Sequence, residues 1–92
     1  MPRFTANVAI ERPARYGKQL ASHLGHKAEV TELENGWSLV IGSGTGLVLP
    51  SETHLQLVAE ADDPEMAERI KFVLDKHLKQ FTTKLELQID WN

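Results

Sequence analysis

The sequence predicts an α+β domain, a two-layer sandwich in which two helices cover one face of a mostly antiparallel six-stranded sheet. Three observations predict it. Two segments carry apolar residues at helical spacing, six segments alternate apolar and polar residues, and short turn sequences join four of these strand segments in succession. The predicted order is therefore β-α-β-β-β-β-α-β, and two packed layers are the simplest way to bury its apolar faces.

The N-terminal quarter of the chain predicts the first strand and the first helix. Residues 4–10 alternate apolar and polar side chains, as a half-buried strand does. Pro13 suits the first position of a helix because its missing N–H costs nothing there. Apolar side chains then follow at helical spacing as far as Leu24, and Gly25 is placed to end the helix. We expect Gly25 to adopt a positive φ angle.

A meander of four strands is predicted between residues 28 and 61. The sequence Asn35-Gly36 is a tight-hairpin signal, because both residues accept the positive φ angles that such turns need. Two further turn segments, 42–46 and 50–53, separate the later strands. Consecutive strands joined by short turns pair in antiparallel fashion. The glycine-rich segment 42–46 lacks the lysine and the following helix of a phosphate-binding loop, so we interpret it as a hairpin.

The second helix and a last strand complete the predicted fold. Asp62 stands in capping-box register with Glu65, and Pro64 lies in the first turn, which together mark a helix start. An apolar stripe at helical spacing runs from there to Phe81. Residues 85–91 alternate cleanly and predict the closing strand. The residues that we expect to be mostly buried are Trp37, Leu57, Leu74, Leu78, Leu87 and Ile89.

The sheet face turned away from the helices is predicted to be exposed and mixed in character. Its polar residues are Asn7, Thr31, Ser38, Gln56, Glu86 and Gln88, and its apolar residues are Leu33, Val40, Val48 and Val58. Such a mixture suits solvent, a protein partner or a homodimer contact.

The size, composition and charge describe one domain and disfavour several partners. The 92 residues, 41% of them hydrophobic and 25% charged, suffice for one packed core, so we expect residues 1–92 to form a single domain. The absence of cysteine excludes disulfides, thiolate metal sites and a cysteine nucleophile. The net charge of −3 disfavours nucleic acid as a partner. The start lacks the apolar run of a signal peptide and no stretch is long enough to span a membrane, so we expect a cytoplasmic protein.

Charge is distributed unevenly along the chain. Residues 1–27 carry five basic side chains and one acidic one, whereas residues 28–68 carry nine acidic side chains and no Lys or Arg. Two solvated faces explain this distribution; alternatively, it orients self-association or a protein partner.

Two short motifs resemble a known bacterial family. They are RPARY at residues 12–16 and HLGHK at residues 23–27, accompanied by a terminal helix and a closing strand that ends at Trp91. Together they resemble a family of bacterial domains of unknown function numbered 2218, over nearly the whole chain. That family supplies no established activity. Some of its members look like domains fused to, or neighbouring, siderophore-interacting flavoproteins, so the resemblance implies a loose link with iron acquisition.

The distinctive residues cluster at the end of the first helix. His23 and His26 flank Gly25, and a turn there that folds His26 back would bring two imidazoles to one metal ion. Alternatively, His23 borders the core and His26 meets the helix dipole. Tyr16 and Lys27 complete this corner, which we predict to be the ligand-binding surface. The sequence identifies no cofactor.

The second helix carries two further candidates. His77 lies in the apolar stripe, where a buried neutral histidine with one hydrogen bond explains it. Phe72 falls on the polar side of the same helix. Single exposed apolar residues are common, and the alternative is a contact with another chain. Phe72, Val40 and Val58 are therefore the candidate interaction surface.

Three functional hypotheses follow. No set of nucleophile, base and orienting group can be assembled from the sequence, so we expect binding and not catalysis. The first hypothesis is a non-catalytic binding or accessory module, linked by resemblance to iron-siderophore metabolism. The second is a histidine-based metal-binding domain, and the third is a homo-oligomeric protein-interaction domain.

Overall fold

A computed structural model describes residues 2–26, 28–82 and 89–92. These residues form two helices and an antiparallel sheet, which confirms the α+β class. The elements in chain order are β1 (Arg3–Ala9), α1 (Pro13–Leu24), β2 (Glu29–Leu33), β3 (Gly36–Ile41), β4 (Gly44–Pro50), β5 (His54–Glu60) and α2 (Pro64–Phe81).

The described residues form a five-stranded sheet instead of the predicted six-stranded one. The strand order is β1-β5-β4-β3-β2, and every neighbouring pair is antiparallel. The predicted closing strand falls mostly on residues 83–88, outside the described residues. Beyond them, Trp91 makes an isolated antiparallel bridge with Ala6, and the Asn92 N–H donates to the Thr5 carbonyl at 3.0 Å.

The turn between β2 and β3 forms at Glu34 and Asn35, one residue before the predicted Asn35-Gly36 pair, and Asn35 lacks the positive φ angle that the prediction required. Gly36 pairs with Leu33 and has a φ angle of +155°. A Cβ atom on Gly36 would lie 2.1 Å from the carbonyl oxygen of Val48. Only glycine fits this position, because the neighbouring strand β4 passes too close for a side chain.

The core lies between the helices and one face of the sheet. Its largest fully buried side chains on the helices are Leu20, Ile70, Leu74 and Leu78, and on the strands they are Val8, Leu39, Val48, Leu55 and Leu57. The predicted burial of Leu57, Leu74 and Leu78 is therefore confirmed. Trp37 and Ile89 are half-buried and pack against this core. Leu87 lies outside the described residues.

Strand β4 has the opposite phase from the one predicted, so the placement of Val48 on the outer face was wrong. Val48 is fully buried on the helix side and pairs with Trp37 and Leu57. Its inner neighbours are Gly44 and Gly46, where Cβ atoms would lie 2.5 Å and 3.5 Å from side-chain carbons of Ile70 in α2. A side chain would not fit at Gly44, because α2 passes so close to the strand there, whereas a Cβ atom at Gly46 would make an ordinary contact.

The C-terminus of α1 and the N-terminal cap of α2 both differ from the prediction. Gly25 has φ −61° and ψ −16°, so the predicted positive φ was wrong. Its N–H donates to the Ala21 carbonyl at 2.8 Å, and the Ala28 N–H donates to Leu24 at 2.9 Å, so helical hydrogen bonding continues through Gly25. At α2 the cap is Asp63 and not Asp62. The helical conformation is disfavoured for a residue that precedes proline. Asp63 precedes Pro64 and is therefore extended.

Candidate functional site

A surface depression lies between the C-terminal half of α1, the edge strand β2 and its neighbour β3. We call it the helix-end depression; its polar and aromatic lining consists of Lys18, Ser22, His26, Glu32 and Trp37. The adjacent depression is lined by Glu29, Val40 and Gly42 and shares Gly25 and His26 with the first. His26, one of the predicted site residues, therefore stands where the two depressions meet.

The lining of the helix-end depression combines an aromatic ring with charged groups of both signs. Trp37 is half-buried because α1 passes over it at Gly17, where a Cβ atom would lie 3.0 Å from its Cζ3. Glu32 stands opposite Trp37 in the β2–β3 register and is exposed. Lys18 and His26 are exposed on the helix side. The depression therefore combines a partly exposed aromatic side chain with hydrogen-bond donors and one carboxylate.

His23 faces the second helix. Its ring centroid lies 5.1 Å from that of His77, with the planes tilted by 47°, and 5.2 Å from that of Phe81 in an edge-on contact. His26, by contrast, lines the depressions beside β2 and β3. The two histidines of the HLGHK motif thus contact different parts of the fold.

His77 is half-buried and makes one hydrogen bond within its own helix. The bond joins its Nδ1 to the carbonyl oxygen of Val73 at 2.7 Å. A carbonyl only accepts, so Nδ1 carries the proton and donates. This arrangement leaves Nε2 as the nitrogen with a free lone pair in the neutral ring.

Of the remaining predicted site residues, Tyr16 lines neither depression. Tyr16 is half-buried and packs against the core two turns before His23. Lys27 lies outside the described residues. His54 is exposed at the start of β5, where its Nδ1 lies 2.7 Å from the hydroxyl of Thr53. Within residues 2–26, 28–82 and 89–92, no group of three or more His, Asp or Glu side chains is placed to hold a metal ion.

The candidate interaction residues differ in exposure. Phe72 is 62% exposed and Val40 is 48% exposed. Val58 lies on the outer sheet face but has no exposed surface, with Thr5 and Leu47 opposite it on the neighbouring strands. Val58 therefore presents no surface to a partner in this conformation. The Lys76 ammonium lies 5.8 Å from the Phe72 ring centroid.

Sequence reasoning missed Trp37 and Lys18 as site residues. It placed Trp37 in the core on the apolar phase of its strand, which the structure supports only for part of the ring. Tryptophan is rarely buried completely, because its large ring usually keeps one edge at the surface. That property was the available signal for an aromatic surface beside α1.

Across the described residues, neither helix has the length and hydropathy that a membrane crossing requires. The fold and the depression define a small two-layer α+β domain with a candidate binding surface at one helix end. This fold is shared with the NMR structure of PA4090 from Pseudomonas aeruginosa, with a TM-score of 0.84 and 27% sequence identity. The similarity covers 100% of this chain and 96% of that one.

The chain belongs to the family described as "Uncharacterized protein conserved in bacteria (DUF2218)", whose family model matches residues 5–92. This match confirms the resemblance carried by the RPARY and HLGHK motifs. No curated protein matches the chain.

Proposed function

We propose that this protein is a cytoplasmic, non-catalytic binding module of iron-siderophore metabolism, and that the helix-end depression is its ligand site. The observation that carries the proposal is the position of His26 between two depressions, one of which contains the partly exposed Trp37. The link to siderophores rests on the family resemblance and not on the site itself.

The chemistry of the lining suggests the class of ligand. A catecholate siderophore presents planar aromatic rings, and its ferric complex is anionic. The Trp37 ring offers a surface for stacking, and Lys18 and His26 offer exposed hydrogen-bond donors beside it. The Glu32 carboxylate would repel an anionic group placed beside it. We therefore expect the charged part of the siderophore to lie on the side of Lys18 and His26.

The test is an NMR titration of the whole chain with a ferric catecholate siderophore, the iron-free siderophore and a ferric hydroxamate siderophore. We expect the Trp37 indole and His26 imidazole resonances to shift with the iron-free catecholate and to broaden first with its ferric form, because high-spin Fe³⁺ is paramagnetic. The Trp91 indole is the internal control, because its Nε1 donates to Asp75 Oδ2 at 2.9 Å, away from the lining of the depression.

Matched variants separate binding at the depression from unspecific effects. Lys18→Gln and His26→Gln should each weaken binding about tenfold, the effect of losing one charge-assisted contact. His54→Gln changes an exposed histidine of β5 and should leave affinity unchanged. If no siderophore moves the Trp37 and His26 resonances, or if the shifts follow His54 and Trp91 instead, the proposal is wrong.

The second candidate function is homo-oligomerisation, which the exposure of Phe72 favours. At 62% exposed, its ring is the most exposed large apolar side chain in the described part of the chain. Light scattering across a concentration series tests this hypothesis. We expect a dimer that Phe72→Ser dissociates and that Gln19→Ser, at an exposed site on α1, leaves intact. A monomeric mass at every concentration would contradict the hypothesis.

A further inference from the structure

We propose that His23 of α1 and His77 of α2 form a two-imidazole binding site for a first-row divalent transition-metal ion such as Zn²⁺, Ni²⁺ or Cu²⁺. The two residues come from different helices and meet at the surface between them. Their ring centroids are 5.1 Å apart. This site uses the side of α1 that faces α2 and is therefore separate from the helix-end depression.

The separation of the rings fits two imidazoles on one ion. A metal–nitrogen bond of about 2.0–2.1 Å places the centroid of each ring about 3.2 Å from the metal. At a tetrahedral angle, two such centroids lie about 5.2 Å apart. The observed 5.1 Å matches this value, and the 47° tilt differs from the parallel geometry of a stacked pair. The ring separation is therefore compatible with one shared ion.

The hydrogen bond of His77 prepares the ring for coordination. Nδ1–H donates to the Val73 carbonyl at 2.7 Å, which fixes the tautomer and leaves the Nε2 lone pair available. Metal-binding histidines commonly hold their second nitrogen in this way, through a backbone carbonyl or a carboxylate. The Val73 carbonyl therefore acts as the outer partner that orients the ligand.

The surroundings hold His23 in place and keep one side of the site open. The edge-on contact with Phe81, at 5.2 Å between centroids, restricts the rotation of the His23 ring. His23 itself is exposed, whereas His77 is half-buried. Since the described residues contain no third His, Asp or Glu placed beside this pair, water or a small ligand would fill the other coordination positions. We therefore expect a weak and exchangeable site, with Cu²⁺ bound more tightly than Ni²⁺ or Zn²⁺.

The experiment is a titration of the untagged, chelator-treated chain with Zn²⁺ and Ni²⁺ by calorimetry, with the imidazole resonances followed by NMR. We expect one ion per chain, with joint shifts of the His23 and His77 resonances for diamagnetic Zn²⁺ and joint broadening for paramagnetic Ni²⁺. His23→Gln and His77→Gln should each lower the affinity at least about tenfold, because one of two protein ligands is lost. His26→Gln and His54→Gln serve as matched controls and should change the affinity less than about twofold.

Three outcomes would overturn the proposal: no saturable binding up to about 1 mM metal, binding that survives His23→Gln, or shifts that appear at His26 or His54 instead. His23 is exposed, so His23→Gln should fold normally. If His77→Gln does not fold, the metal affinity of His23→Gln alone tests the proposal. Siderophore binding at the helix-end depression is read from the Trp37 resonance, and we expect His23→Gln to leave it unchanged because His23 does not line that depression. A failure of the metal site is therefore distinguishable from a failure of the proposed function.

Discussion

Replacing Leu57 by alanine tests the packing of the two layers at its centre. Leu57 has no exposed surface and lies in the middle of β5, opposite Ala6 on β1 and Val48 on β4. Strand β5 is paired on both sides, and both helices contact it. The neighbouring strands and both helices therefore hold the walls of a cavity at Leu57 in place, so the cavity cannot collapse easily.

The expected cost follows from the atoms removed. The change deletes three buried carbons, worth about 0.8 kcal/mol each, or about 2.4 kcal/mol in transfer free energy. The cavity adds to this, and fully buried Leu→Ala changes cost about 2.7–5 kcal/mol in total. Because the site resists collapse, we expect about 3–4 kcal/mol, a large part of the roughly 5–15 kcal/mol that stabilises a domain. For a domain of this size, a loss of 3 kcal/mol lowers Tm by about 12–24 °C.

The assay is urea unfolding, followed by tryptophan fluorescence and far-ultraviolet circular dichroism. We expect the midpoint to fall while the denaturant dependence stays unchanged, which indicates a change in stability alone. Val40→Ala, at a site that is 48% exposed, is the matched control and should cost less than about 0.5 kcal/mol. A cost below about 0.5 kcal/mol for Leu57→Ala would refute the placement of this side chain in the core.

Three further predictions concern turns and helix ends. Gly25→Ala should change stability by less than about 1 kcal/mol, because φ is −61°; a larger loss in thermal unfolding would indicate a left-handed residue. Asp63→Ala should cost about 0.5–2 kcal/mol through loss of its cap to the first-turn amide, while Asp62→Ala should be nearly neutral; equal costs in urea unfolding would contradict the assigned cap. Gly36→Ala should destabilise the domain by at least about 1–3 kcal/mol, because its Cβ would meet the Val48 carbonyl at 2.1 Å; an unchanged Tm would show that this turn differs from the structure described.

The sequence alone predicted features that depend on neighbouring residues. The period of apolar residues identified both helices and the strands β1, β2, β3 and β5, because a helix or strand with one buried face imposes that period on its own segment. Strand β4 was identified from the turn residues on either side of it. A turn near Asn35-Gly36 was predicted for a similar reason, and the structure has it at Glu34 and Asn35 with a positive φ at Gly36 alone. The position of His23 and His26 at the end of α1 followed in the same way.

The tertiary structure decided features that depend on distant segments. The phase of β4 is not readable locally, because Leu47, Val48 and Leu49 are all apolar, and it was set by the approach of α2 to the glycines of that strand. The neighbours of each histidine were decided likewise: His77 meets His23 only because both helices pack on one sheet face. Local patterns report which face of an element is buried, whereas the contacts across that face arise from how the separate elements pack.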